Sequence, residues 1–217
     1  GDMTNYPLLK KVGKTNKPVI ISTGMSSHNE ISESINFIGN YSKEISLMQC
    51  TSAYPTSPKE WGLNVIKELK TLYNIPVGFS DHSGSIYPCL AAAALGSDLF
   101  EFHVVFDRNQ FGPDTNASIT IDQVELLTEG IRQIQSSINF PVDKNDIEGF
   151  KVLRELFGRS LSLNKNKKAG DIINFDDLES KKPAGYGIPA KEFEKIILKT
   201  LNKNLEKWSF INWEDID

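Results

Sequence analysis

VGFSDHSGSIYPCLAAAALGSDLFEFHVVFDRNQFGPD, residues 77–114, contains two short apolar runs that each end in polar residues. His82 follows the first run and His103 lies in the second, and an alanine-rich segment typical of a helix joins them. If both runs are parallel strands, the crossover brings their carboxyl ends to one edge of a sheet. We therefore expect both imidazoles to face one pocket, and such a pair indicates a metal site.

The composition is that of a globular protein. The chain has 217 residues, which is enough for one large domain or for a medium and a small one. Its net charge is −4. Basic residues are not concentrated on any stretch, so we expect no nucleic-acid partner. No apolar run approaches the roughly 18 residues of a membrane span and no leader pattern is visible, so we expect no membrane and a cytoplasmic location. Cys50 and Cys89 have no paired spacing and are interpreted as buried reduced thiols.

A strand-then-helix pattern occurs four times in residues 1–139. The apolar runs begin near residues 18, 45, 75 and 98, a spacing typical of one unit of an eight-unit (β/α) barrel. Ser27 and Ser57 have the spacing of helix N-caps, each with a glutamate three residues later. The pattern predicts the C-terminal half of a TIM barrel, with an open doubly wound sheet as the alternative. Because an isolated half would have two unpaired edges, we expect the other half to be missing or supplied by another polypeptide.

The pattern changes after residue 139. Residues 140–157 are predicted to be a linker that ends in a short helix. Residues 158–217 are predicted to form a small module with strands at 159–163 and 171–173, and with an amphipathic helix over 190–203. About sixty residues make only a marginal domain, so we expect this module to need a partner surface.

Seven motifs in series carry a family resemblance: NYPLLKKV, KPVIISTGMSS, CTSAYPT, VGFSDHSG, EFHVVFDR with FGPD, FGRSL and KKPAGYGI. In this order they resemble the sialic acid synthase family, over nearly the whole chain. The resemblance implies a TIM barrel without its first three strands and most of its fourth, followed by an SAF (antifreeze-like, β-clip) domain. It also implies a domain-swapped homodimer for the full-length form.

The resemblance further implies a reaction. Phosphoenolpyruvate condenses with an N-acylated amino sugar, N-acetylmannosamine or a related diacetamido hexose, to give a nine-carbon 2-keto acid and phosphate. His82 and His103 match the family's ligands for a divalent metal, expected to be Mn²⁺, with Mg²⁺ or Co²⁺ as alternatives, and Asp2 matches a catalytic acid near it. The lysines that hold phosphoenolpyruvate would lie in the missing half, so we expect this chain not to turn over alone.

Six positions match residues that contact the substrates in the family: Ser22, Ser52, Tyr54, Ser80, Asp114 and Lys182. Without the resemblance, Ser22 and Ser80 can be ordinary strand-end or loop serines, Tyr54 a packing residue and Asp114 a turn residue. The sequence also departs from the family pattern at several positions, namely Gln49, Ser52, Phe102, Thr115 and Lys182. Lys182 replaces an arginine and keeps the charge but not the forked donor geometry.

Two other functions remain open. The departures at Ser52 and Lys182 favour a non-catalytic sugar- or carboxylate-binding half-barrel that assembles with a separate chain. A metal-dependent hydrolase fits the two histidines, but the sequence lacks the additional His and Asp ligands that such sites collect.

Overall fold

The computed structural model describes residues 2–217, and the chain divides into two compact units, the second of which is Val142–Asp217. The first unit contains α1 (Tyr6–Gly13), β1 (Val19–Ser22), α2 (His28–Ile38), β2 (Ile45–Cys50), α3 (Leu63–Tyr73), β3 (Val77–Asp81), α4 (Tyr87–Ala94), β4 (Phe100–Val105), β5 (Ser118–Thr120) and α5 (Ile121–Asn139). The second contains α6 (Lys151–Phe157), β6 (Ser160–Leu163) and β7 (Leu178–Lys181). Over residues 2–217, no helix combines the length and hydrophobicity that crossing a membrane requires.

The first unit is built on a five-stranded parallel sheet. Its strands lie in chain order, β1-β2-β3-β4-β5, and each neighbouring pair is parallel. A doubly wound sheet reverses its strand order at a switch point, and this sheet has no reversal. The prediction of a parallel α/β fold is therefore confirmed, and the strand order favours a barrel segment. That the sheet is half of a closed barrel stays a prediction.

The two faces of this sheet differ in chemistry. Val19, Leu47 and Phe79 are buried on the face that packs against the helices, together with Ile38 of α2 and Ile66 of α3. Side chains alternate along a strand, so the residues between them project from the opposite face. There Ile20 of β1 is 58% exposed and Ser22 is also exposed. Within residues 2–217, β1 pairs with β2 alone, which leaves its other edge open.

Two elements of the first unit differ from the sequence prediction. Ser118–Thr120 form a fifth strand, β5, which the pattern of four strand-then-helix units did not predict. A strand of three residues is too short to show a periodicity of two. The helix expected to begin at Ser57 begins at Leu63 instead, because the Ser57 capping box opens only a 3₁₀ turn and Gly62, with φ of 66°, separates that turn from α3.

The second unit has a small core and little regular structure. Its strands β6 and β7 are antiparallel, and the predicted strand at 171–173 is reduced to a single bridge between Ile172 and Thr200. The predicted helix over 190–203 is wrong, since only a 3₁₀ segment, Ala190–Lys195, forms there. Leu198 adopts a positive φ of 65°, and the backbone N–H of Leu201 donates to a distant carbonyl, that of Asp171. Non-local pairing therefore overrides the helical periodicity.

The second unit also contains an internal repeat that we did not predict. Residues 163–178 and 201–216 can be aligned without gaps, each residue of the second copy lying 38 positions after its counterpart. LNKN opens both copies, and an Asn-x-x-Asp segment closes both. The closing segments are capped 3₁₀ turns with a buried aspartate, Asp177 in the first copy and Asp215 in the second.

Reciprocal hydrogen bonds join the two copies, so that each bond is matched by a second bond between the equivalent residues. The backbone N–H of Gly170 donates to the carbonyl oxygen of Leu201 at 2.7 Å, and that of Trp208 donates to the carbonyl oxygen of Leu163 at 2.7 Å. In the same way, the N–H of Ala169 donates to Oδ1 of Asn204 at 2.9 Å, and that of Lys207 donates to Oδ1 of Asn166 at 2.7 Å. Exchange of donor and acceptor between equivalent residues is the signature of an approximate two-fold axis. The second unit is therefore two related halves that pair with each other.

Candidate active site

Three aromatic rings meet beyond the carboxyl ends of β2, β3 and β4. His82 directly follows β3, His103 lies in β4, and Tyr54 lies in the loop after β2. The ring centroids are 5.2 Å apart for the two histidines, 4.2 Å for Tyr54 and His82, and 5.7 Å for Tyr54 and His103. The structure thus brings together three of the residues singled out from the sequence, on the sheet face opposite the helical core.

The hydrogen bonds of His82 fix the orientation of its ring. Its Nδ1 lies 3.0 Å from the carbonyl oxygen of Thr51, which can only accept, so we assign the ring proton to Nδ1. Nε2 then carries the lone pair and accepts a hydrogen bond from the hydroxyl of Tyr54 at 3.1 Å. A histidine whose Nδ1 is held by a backbone carbonyl presents Nε2 as a ligand or base.

The turn after β3 holds His82 in place. Asp81 is buried and accepts hydrogen bonds from the backbone N–H and the hydroxyl of Ser83, at 3.1 and 2.9 Å. Burial raises the pKa of Asp81, while the two Ser83 bonds act in the opposite direction. Gly84 follows with φ of 70°, and a Cβ there would lie 2.3 Å from the carbonyl oxygen of Asn116. Only glycine fits this position without displacing the backbone.

His103 lies beside an acidic residue of the loop that precedes β5. The Oδ2 atom of Asp114 is 3.8 Å from Nδ1 of His103, too far for a hydrogen bond but close enough for an electrostatic contact. The backbone of Asp114 is held by the hydroxyl of Ser118, which donates to its carbonyl oxygen at 2.7 Å. The carboxylate is half exposed, so it remains available to a ligand hydroxyl.

The two imidazoles lie at a separation that a shared metal ion would allow. A metal about 2 Å from one nitrogen of each ring brings the ring centroids to roughly 5 Å, and the observed separation is 5.2 Å. Within the part of the chain that the structure describes, no group of three or more His, Cys, Asp or Glu side chains is arranged to hold a metal. An ion at this place would have His82 and His103 as its protein ligands, with no third His, Cys, Asp or Glu from residues 2–217.

Glu101 joins the site although sequence reasoning missed it. It lies opposite Ser80 in the β3–β4 register, and the Ser80 hydroxyl donates to its Oε1 at 2.6 Å. Ser80 is buried and Glu101 is exposed. Glu101 precedes His103 by two positions in the same strand, so the strand periodicity places both on one face. That spacing was the signal that could have identified it.

A second group of predicted residues lines a cavity of about 360 Å³ beside β1. Asp2, Ser22 and Ser52 all contribute to its wall. Gly24 packs against Ser52 so closely that a Cβ at position 24 would be 2.5 Å from its hydroxyl oxygen and 3.0 Å from Sγ of Cys50. Since Sγ of Cys50 is 3.9 Å from Nδ1 of His82, this cavity and the cluster of rings are neighbours.

The remaining predicted residue, Lys182, belongs to the second unit. It is exposed, and its Nζ lies 4.6 Å from the centroid of the Phe157 ring. Two of the other departures lie away from the ring cluster. Gln49 donates to the carbonyl oxygen of Trp61 at 3.5 Å, and Phe102 packs against the helical core.

Comparison with known proteins identifies one family and several similar proteins. Residues 1–142 match the model of the NeuB family. An uncharacterized protein of Methanocaldococcus jannaschii is 36% identical over 223 residues, which cover 100% of this chain and 64% of the relative. The N,N'-diacetyllegionaminic acid synthase of Campylobacter jejuni is 36% identical over 213 residues, which cover 95% of this chain and 62% of the synthase.

A solved structure shows the same fold. The spore coat polysaccharide biosynthesis protein spsE of Bacillus subtilis matches with a TM-score of 0.61 and 26% identity, covering 100% of this chain and 65% of that protein. The present chain thus spans less than two thirds of each of these three proteins.

Proposed function

Since the chain belongs to the NeuB family, the family of the sialic acid synthases, we propose that it carries the amino-sugar side of an active site that condenses phosphoenolpyruvate with an N-acylated amino sugar. The products are a nine-carbon 2-keto acid and phosphate. The observation that carries this proposal is the convergence of His82, His103, Tyr54 and Asp114 at the ends of three neighbouring strands. N-acetylmannosamine and a diacetamido hexose are both candidate acceptors.

We assign the acceptor side of the reaction to the ring cluster. His82 and His103 would hold a divalent metal, Mn²⁺ in the first instance, which polarises the sugar aldehyde when bound. The Nδ1 bond to Thr51 keeps the His82 lone pair directed into the site. Tyr54 and Asp114 offer a hydroxyl and a carboxylate to the sugar hydroxyls. Asp2, in the neighbouring cavity, would exchange a proton with the aldehyde oxygen.

Phosphoenolpyruvate would be bound by hydroxyls of the same sheet edge. Ser22 and Ser52 line the cavity beside β1, and Ser80 lies two residues before His82. A serine hydroxyl has a single proton, so Ser80 cannot donate both to Glu101 and to an anionic oxygen. Binding of the anion would therefore release Glu101, whose carboxylate would become free to orient the water that attacks C2 of the enol.

We further propose that turnover needs more than this chain. β1 has one edge without a strand partner among residues 2–217, and Ile20 on the site-bearing face is more than half exposed. A further set of strands would cover both features and supply the lysines for phosphoenolpyruvate. In the full-length form, Lys182 would reach the site of a second copy in a domain-swapped dimer.

Metal binding provides a direct test. Mn²⁺ is titrated into the wild-type chain and into the His82→Ala, His103→Ala and His28→Ala variants, with free Mn²⁺ followed by electron paramagnetic resonance. His28 is the matched control, because its Nε2 pairs with Glu68 at 3.2 Å on the helical surface. We expect the first two variants to lose binding and His28→Ala to retain it. Equal binding by all four proteins would contradict the assignment.

The reaction itself is tested by phosphate release. The chain is incubated with Mn²⁺, phosphoenolpyruvate and N-acetylmannosamine or a diacetamido hexose, with and without a polypeptide that carries the first strands of a relative. We expect release only in the complemented mixture, and its loss with His82→Ala. Retained Mn²⁺ and sugar binding without release in any mixture would instead support the non-catalytic half-barrel.

A further inference from the structure

Trp208 occupies a backbone position that is unfavourable for it. Its φ is 71°, in the left-handed region where a Cβ causes strain. The equivalent residue of the first copy in the internal repeat is Gly170, with φ of 90°. Both make the same reciprocal hydrogen bond to the other copy, so the scaffold requires the conformation but not the side chain. The first copy shows that glycine satisfies this position.

Packing covers less than half of the tryptophan. Its side chain is 54% exposed, so much of the indole surface remains in contact with water. Some other equivalent positions keep their chemical character, as Phe175 and Trp213 or Ile173 and Ile211 do, and others, such as Lys167 and Leu205, do not. A large aromatic residue that is strained and exposed, where its counterpart is glycine, indicates a surface selected for contact with a ligand.

Two cations flank this indole. Nζ of Lys207 lies 4.6 Å and Nζ of Lys181 lies 5.2 Å from the centroid of the Trp208 ring. Neither lysine takes part in an ion pair with any carboxylate of residues 2–217. Both ammonium nitrogens therefore lie over the ring at cation–π distance, and each can also bind an anion.

We propose that Trp208, Lys181 and Lys207 form a binding site for a sugar ring that carries a carboxylate. The C–H face of a sugar ring packs on an indole, and the carboxylate pairs with the two ammonium groups. An inorganic anion would need the lysines but not the strained aromatic residue. The site lies in the second unit and takes no part in the proposed condensation.

The test uses the indole N–H signals of the three tryptophans in a ¹⁵N–¹H correlation spectrum of the full chain. N-acetylneuraminic acid is the probe and uncharged N-acetylmannosamine is its control, both without metal or phosphoenolpyruvate. We expect the acid to shift the Trp208 signal saturably and to bind about ten-fold more tightly than the neutral sugar. A Trp208 signal that neither sugar moves, or equal binding of both, would overturn the proposal.

Trp208→Gly is the informative variant, since it restores the residue found at Gly170. We expect it to lose binding of the acid and to unfold at the wild-type temperature or above. Trp213→Phe, which copies Phe175, is the matched control and should keep binding. The double variant Lys181→Gln, Lys207→Gln should bind acid and neutral sugar equally. Undiminished binding by Trp208→Gly would contradict the proposal. A lower unfolding temperature of this variant would also contradict it, because it would show that the indole is a packing residue.

Discussion

The internal repeat supplies a matched pair of buried carboxylates whose contributions to stability should differ. Asp177 is 3% exposed and forms ion pairs with both Lys165 and Lys167. Its counterpart Asp215 is fully buried, and Lys203 is its one ion-pair partner among residues 2–217. We predict that Asp177→Asn destabilises the second unit more than Asp215→Asn does.

The expected size of the effect follows from the exposure of the lysines. Asp177→Asn leaves Lys167, whose side chain is only 11% exposed, without its counter-charge. Removal of one partner from a buried pair costs about 3–5 kcal/mol, and the lower end applies because Lys165 is 54% exposed and returns to water. Asp215→Asn releases only Lys203, whose side chain is 52% exposed, so we expect less than half of that loss.

Urea denaturation measures the difference. Trp208 and Trp213 both report on the second unit, and a Trp61→Phe background removes the tryptophan fluorescence of the first unit. The free energy of unfolding is obtained for each variant by linear extrapolation. Lys167→Leu provides a further control, because the equivalent residue of the second copy is Leu205, and it should make the first site resemble the second.

The pH dependence gives an independent check. Burial acts to raise the pKa of Asp177. Hydrogen bonds from Lys165, Lys167 and the backbone N–H of Asn174 outweigh this effect and hold the pKa well below its ordinary value. A carboxyl with a depressed pKa stabilises the fold above its unfolded pKa of about 4, and this stabilisation is lost as the pH falls towards the folded value. The gap between wild type and Asp177→Asn should therefore narrow on acidification. A constant gap, or equal losses for both aspartates, would refute the reasoning.

Three further outcomes are expected. Gly78→Ala should destabilise the first unit by about 1–3 kcal/mol in thermal unfolding, because its Cβ would lie 2.2 Å from Sδ of Met48. Ser34→Ala should cost about 1–2 kcal/mol in the same measurement, because the fully buried hydroxyl donates to the carbonyl oxygen of Met3 at 2.7 Å. Burial raises the pKa of the Cys89 thiol, so iodoacetamide at pH 8 should label it only in urea, as mass spectrometry would show.

Much of the fold of the first unit could be predicted because its helix caps, apolar runs and turn residues all indicate the same elements. The Ser27 capping box forms as expected, and Gly96 takes a positive φ of 82° after α4. Apolar runs bounded by polar residues predicted four of the five strands described in this unit. The start of α3 was misplaced because a capping box can close a single 3₁₀ turn as well as a helix, and the choice depends on the conformation of Gly62.

The second unit was harder because its structure depends on pairing between distant residues. Apolar spacing over 190–203 indicated a helix, yet Ile196 and Leu201 both point into the core without one. The repeat of LNKN was visible in the sequence, but a four-residue match has little weight until the reciprocal hydrogen bonds connect its copies. Periodicity describes local structure only, so it could not reveal a unit whose two halves are held together by reciprocal hydrogen bonds.

The candidate site, too, could be predicted only in part from the sequence. The convergence of His82 and His103 follows from two strand ends and one parallel crossover, which the sequence contains. The tautomer of His82 depends on the carbonyl oxygen of Thr51, a backbone atom whose position no side-chain pattern specifies. Replacement of the Thr51 side chain would leave that oxygen in place, whereas a change in the β2 loop would move it. The chemistry of this site is therefore encoded partly in loop geometry, and for that reason residue identity alone could predict the two imidazoles but not the nitrogen that each presents.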